Sequence, residues 1–196
     1  MSAWIRMVSD EDASATLRLM FDKVRTPHGT VDNVMRVHSL RPHTMEGHVV
    51  LYKSVLHNPD NVLPFWFLEV VASYTSILNK CAYSLAHHFT NARRLIADDA
   101  RADAIDLALK DGRPEDVFSG KELALINYAA KLTSAVSEMT ESDMIALRQA
   151  GCDDGEILEV NQVCAYFNYS NRLLNGLGVT TDGDTIGYYE AEAISR

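Results

Sequence analysis

The feature that most constrains this chain is the spacing of its apolar residues, which recur every three to four positions and never alternate over a strand's length. Residues 10–24 place Leu17, Met20, Phe21 and Val24 on one helical face, with Ser9 or Asp10 as cap and Pro27-His28-Gly29 as stop. A short turn is expected over Val34 to Leu40, then a periodic run over 43–57 that ends at Asn58-Pro59-Asp60. Residues 64–78 open with proline at an expected first helical position and are apolar on most sides, which predicts a buried helix. Further helices are expected over 80–97 and 99–110, the latter closed by Asp111-Gly112-Arg113-Pro114.

The second half repeats the pattern. Ser119 with Glu122 has the form of a capping box opening a helix to about Ala135, and Thr140 or Ser142 caps a short helix that Gly151 stops. Asp153 with Glu156 repeats the box at the head of a helix running to Gly176 or Gly178, after which 178–189 reads as an extended tail. No linker separates the halves, so the expected fold is all-α, one domain over 1–196 with an N-terminal helical arm. Helices as apolar as 64–78 and 156–174 also predict burial between subunits, and hence a homo-oligomer.

Charge narrows the partners. A net charge of −9 with no basic cluster beyond Lys23 and Arg25 argues against nucleic acid and anionic membranes. The first residues have no signal-peptide pattern and no apolar run is long enough to span a bilayer, so a cytoplasmic protein is expected. Three cysteines, Cys81, Cys152 and Cys164, are an odd number in such a chain, and reduced thiols are the expectation.

The chemistry gathers in Cys-Ala-Tyr-Ser-Leu-Ala-His-His. On a helix Cys81, Ser84 and His88 stand at i, i+3 and i+7 and share a face, while Glu69, twelve residues upstream of Cys81, can reach it by helix packing. With Asn79 as cap, Cys81 would lie in the first turn, where the helix dipole favours the thiolate. His88 is placed to pass protons and Glu69 to act as acceptor or relay. His87 points about 100° away from His88 and reads as a surface or interface residue. His38, His43 and His48 turn by about 140° at each step and give no shared metal face on a helix. Asp182-Gly183-Asp184 lacks the remaining ligands of a calcium loop, and no phosphate loop or nucleophile elbow is present, so neither metal nor cofactor is expected.

Glu69, Cys81-Ala-Tyr-Ser84 and His88 together resemble the Glu, Cys-x-x-Cys and His signature of the carboxymuconolactone decarboxylase and alkylhydroperoxidase D superfamily. Arg41-Pro42, the stretch Val163 to Arg172 and Leu177-Gly178-Val179 look like its peroxidase-related branch, so that the resemblance covers about residues 20–180 and leaves 179–196 as a tail. It implies an alkylhydroperoxidase D-like helical bundle that forms dimers, trimers or hexamers. In the family's peroxidases the cysteine pair reduces peroxide while Glu and His activate the second cysteine, whose place Ser84 takes here. A hydroxyl cannot close a disulfide, so the two-cysteine cycle cannot run through 81 and 84. The expected function is that of a one-cysteine peroxidase using Cys81 on a hydroperoxide with a Glu69/His88 proton relay, and with an external thiol, Cys152 or Cys164 as reductant; the alternatives are a cofactor-free lyase, decarboxylase or isomerase of a small organic acid or lactone, using Glu69, His88 and Ser84, and a non-catalytic paralogue.

Overall fold

A computed structural model of the chain describes residues 2–187. Its order is α1 (Ala15–Val24), α2 (Asn33–Arg36), α3 (Pro42–Leu56), α4 (Phe65–Leu78), α5 (Ala82–Ile96), α6 (Asp99–Lys110), α7 (Gly120–Ser134), α8 (Glu141–Gln149) and α9 (Asp154–Leu177). Short 3-10 turns stand at Pro114–Asp116 and Val136–Glu138, and no strand occurs among the described residues. The last two residues of the expected tail, and the chain beyond them, lie outside the described residues.

α4 is the axis of the molecule. Its residues Phe67 to Ser76 are all buried because α5, α7 and α9 pack around it, with α6 closing one side. Phe67, Leu68, Val70, Val71, Leu125, Ile126, Val160, Val163 and Phe167 form the main core. The N-terminal arm makes a second, smaller core where α1 lies on α3, through Leu17, Met20, Phe21, Val31, Met35 and Met45.

Several ends differ from expectation. The first helix starts later, capped by the Ser14 hydroxyl, which accepts from the Leu17 N–H. Pro64 sits at the N-cap of α4 rather than inside it. Ser119 makes no capping bond, because Gly120 follows at a left-handed φ of 53° and turns the backbone away from the box geometry. The boxes at Thr140 with Asp143 and at Asp153 with Glu156 do form.

The joint between α4 and α5 decides the site. Lys80 takes φ 53°, a rare conformation for a residue with a Cβ. The Cys81 N–H then donates to the Ser76 carbonyl at 2.9 Å, the long bond of a Schellman-type helix end. That closure folds α5 back along α4 as an antiparallel pair, so residues far apart in sequence face each other across it.

Candidate active site

Glu69, on α4, is fully buried, and a carboxylate there is tolerable only with partners. α5 supplies them. The His88 Nδ1–H donates to Glu69 Oε2 at 2.7 Å, and Asn91, one turn on, donates from Nδ2 to Oε1 at 3.4 Å. The edge-on Phe167 ring, 4.5 Å away between centroids, fixes the imidazole plane. With Nδ1 committed, Nε2 is the nitrogen left to serve the cavity of about 400 Å³ that His88 lines.

The cavity-facing stripe of α5 is not the one the spacing predicts. Ser84, His87, His88 and Asn91 line the cavity, whereas Cys81 and Glu69 do not. Asn79 ends α4 instead of capping α5, and Cys81 itself is the N-cap, with φ −96° and ψ 91°. An extended residue is out of helical register, so the i, i+3, i+7 argument fails at its first member. Cys81 is 1% exposed and sits among Ala3, Val37, Leu174 and Val179. Burial pushes its thiol pKa up, against the pull of the Ser84 and Tyr83 N–H groups directed at the sulfur. Cys152 and Cys164 lie in the main core; all three cysteines are free and buried, and none lines the cavity.

Opposite α5 the wall is aromatic and held neutral. His48 Nε2 and the Tyr166 hydroxyl are hydrogen-bonded at 2.8 Å. Burial, with a contribution from His38, pushes the His48 pKa down to about 3. His57 is likewise pushed down to about 3, by burial and then by the charges of His88 and Lys53. Tyr52 stands between them, its ring 6.2 Å from His88 and 5.7 Å from Tyr166. Lys23, Arg25 and Lys53 also border the cavity, with Asp32 as the acidic residue among the lining groups.

One histidine reading is corrected. His87 is buried, stacks on Tyr83 at 4.7 Å and stands 3.6 Å from the carboxylate of Asp184, which also accepts from the Tyr83 hydroxyl and the Asn33 N–H. Sequence reasoning missed this cluster because Asp184 comes from the tail, and no helical spacing links the two. His38 and His48 meet at 4.9 Å because the chain turns between α2 and α3 instead of continuing one helix, while His43 is exposed. No group of three metal-ligating side chains forms among the described residues. Three buried polar atoms on cavity-lining residues make no hydrogen bond within the protein, namely His48 Nδ1, His87 Nε2, which has only the 3.6 Å contact to Asp184, and Asn91 Oδ1. Buried polar atoms are seldom left so, and these three suit a polar ligand.

No family model and no curated protein matches the chain. Solved structures do. A peroxidase-related protein from Ralstonia eutropha JMP134, described as an alkylhydroperoxidase AhpD core, aligns with a TM-score of 0.80 at 21% identity over 94% of each chain. A peroxidase-related protein from Silicibacter sp. TM1040 aligns at 0.79, with 21% identity over 93% of each. The debrominase Bmp8, solved as a cysteine-to-alanine variant with 2,3,4-tribromopyrrole, aligns at 0.73 with 15% identity over 93% of this chain and 94% of its own. At these identities the likeness establishes the fold, which is that of the alkylhydroperoxidase core.

Proposed function

We propose that this chain is a divergent member of the carboxymuconolactone decarboxylase and alkylhydroperoxidase D superfamily, catalysing cofactor-free acid–base chemistry on a small organic acid or lactone. The observation that carries this reading is the buried Glu69 holding His88 through Nδ1 at 2.7 Å, beside a cavity lined by Ser84 and by no thiol. Glu69 fixes the tautomer and ring plane, so Nε2 takes a proton from the substrate and returns it at a neighbouring atom. Ser84 donates a hydrogen bond to the substrate, and the neutral aromatic wall excludes water from the developing charge. A cavity of about 400 Å³ suits a small cyclic molecule. The tribromopyrrole bound by the similarly folded debrominase is one of that size class.

The one-cysteine peroxidase is the competing reading, and the N–H groups of Tyr83 and Ser84 that face the Cys81 sulfur favour it. It requires a thiolate that peroxide can reach. Burial at 1% exposure and a raised thiol pKa oppose both requirements. The test is turnover of a panel of small lactones and unsaturated organic acids, run beside a titration with limiting hydroperoxide. Acid–base chemistry predicts turnover that survives Cys81→Ala and falls about 10²- to 10⁴-fold in Glu69→Gln and His88→Asn. Oxygen added to Cys81 by stoichiometric peroxide, with no turnover across the panel, would replace this reading by the peroxidase.

A further inference from the structure

The Ser84 hydroxyl, unlike several others on these helices, is not bonded to its own helix. Ser73, Ser76, Thr90 and Thr133 each donate to the carbonyl four residues earlier, on Glu69, Ala72, Ala86 and Ala129, which is the usual way a helix silences a hydroxyl. Ser84 has no such outlet. It is the third residue of α5, and the residue four before it, Lys80, is in the left-handed turn, outside any helix. Among the described residues its hydroxyl has no hydrogen-bond partner, although the residue is 2% exposed, and it lines the cavity. One helical turn on stands His88, whose Nδ1–H is committed to the buried carboxylate of Glu69. A free hydroxyl, an imidazole with its outer nitrogen available and a carboxylate orienting the inner one are the three parts of a serine-nucleophile relay.

From this geometry we infer that Ser84 is a covalent nucleophile, and that the substrates are acyl donors, small carboxylic esters or lactones. The inference rests on the acid–base role given to Glu69 and His88. Ser84 Oγ attacks the carbonyl carbon while its proton passes to His88 Nε2. The carbon–oxygen bond of the ester or lactone breaks, and the leaving alkoxide takes that proton. Water, deprotonated by the same imidazole, then releases the acid and regenerates the serine hydroxyl, so the net reaction is hydrolysis without redox change. When the Tyr166 hydroxyl donates to His48 Nε2, the unpartnered Nδ1 of His48 carries a proton and is the donor available to the oxyanion. The distance left between Ser84 and His88 closes in the acyl-transfer complex, as hydrogen bonds between nucleophile and base commonly tighten only with substrate in place.

The test is covalent labelling of the full chain by a fluorophosphonate, and acylation by p-nitrophenyl acetate, each read by intact mass and peptide map. The expected result is one adduct on the peptide holding Ser84, absent in Ser84→Ala, unchanged in Cys81→Ala, and formed about 10²-fold or more slowly in His88→Asn. Thermal unfolding of each variant establishes that it is folded. The inference is overturned if neither reagent leaves mass on Ser84. It is also overturned if folded Ser84→Ala turns over a lactone at the wild-type rate. Turnover that needs Glu69 and His88 but not Ser84 would refute the nucleophile and leave the acid–base reading standing. Labelling of Ser84 with no turnover of the wider acid panel would do the reverse.

Discussion

The identity of residue 84 decides what the rest of the site can do. Glu69 and His88 are hydrogen-bonded to each other at 2.7 Å whatever stands at 84, and in the proposed relay the atom they serve sets the chemistry. A thiol at that position would lie in the cavity beside His88, so Ser84→Cys is predicted to consume hydroperoxide faster than the native chain. The measurements are peroxide loss and a mass decrease of about 2 Da as Cys81 and the introduced thiol close a disulfide, a bond that forms only within narrow limits of length and torsion. The types and spacing of these four residues marked them as candidates, and the structure brings His88 onto Glu69 and Ser84 to the cavity. The rank of Cys81 among them was not legible in the sequence, because its place depends on whether the helix begins one residue before or after it.

At the scale of elements, caps and joints carry testable energies. The Asp153 box heads the longest helix, with its carboxylate accepting from the Glu156 N–H at 2.8 Å. Asp153→Ala is predicted to cost about 1 kcal/mol in denaturant unfolding with no effect on turnover. At the other end of α9, Gly178 takes φ 61°, and a Cβ built there would run into the Trp4 ring. The N-terminal segment is strapped at that point by Trp4 N–H to the Leu177 carbonyl and by Thr180 N–H to the Ser2 carbonyl. Gly178→Ala is therefore predicted to cost more than the ~1 kcal/mol of a left-handed alanine. In a double-mutant cycle with Trp4→Ala the excess above that value should vanish, and a full excess without Trp4 would disprove the contact. Glycine after the last helical residue was readable as a stop; the ring that forbids a side chain was not, since it arrives from the opposite end of the chain.

For the whole molecule, the neutral histidine wall makes stability depend on acid. His48 has a folded pKa of about 3 against an ordinary value of 6.5, so below 6.5 the unfolded chain binds a proton that the folded chain refuses. Its contribution is fully present above pH 6.5 and is lost as pH falls toward 3, with a slope approaching ~1.4 kcal/mol per pH unit. His57 adds a limb of the same sign. His48→Gln, which retains a hydrogen-bonding group for Tyr166, is predicted to flatten the fall in unfolding free energy between those pH values; an unchanged slope would place the titration elsewhere. Exposed Val62 and Leu158 flank Glu159, whose carboxylate accepts the Val62 and Leu63 N–H groups. We propose this apolar surface as part of a homo-oligomer contact, with light scattering expected to give a mass above that of one chain and Leu158→Asp expected to lower it.

Periodicity and capping are local properties of the backbone, so the helices, the buried character of α4 and the Asp153 box were legible in the sequence, and Glu69, Cys81, Ser84 and His88 stood out as candidates; the Ser119 box did not form, and Thr140 was read as a cap without its box. Which of those candidate residues meet was set by packing. The left-handed turn at Lys80 sets the register of α5 against α4, puts His88 on Glu69, and leaves Ser84 facing the cavity while Cys81 turns into an apolar cluster. The same holds for Asp184 on Tyr83 and His87, and for His38 against His48. These contacts join segments whose spacing in sequence carries no information about their distance in space, because packing rather than propensity brings them together.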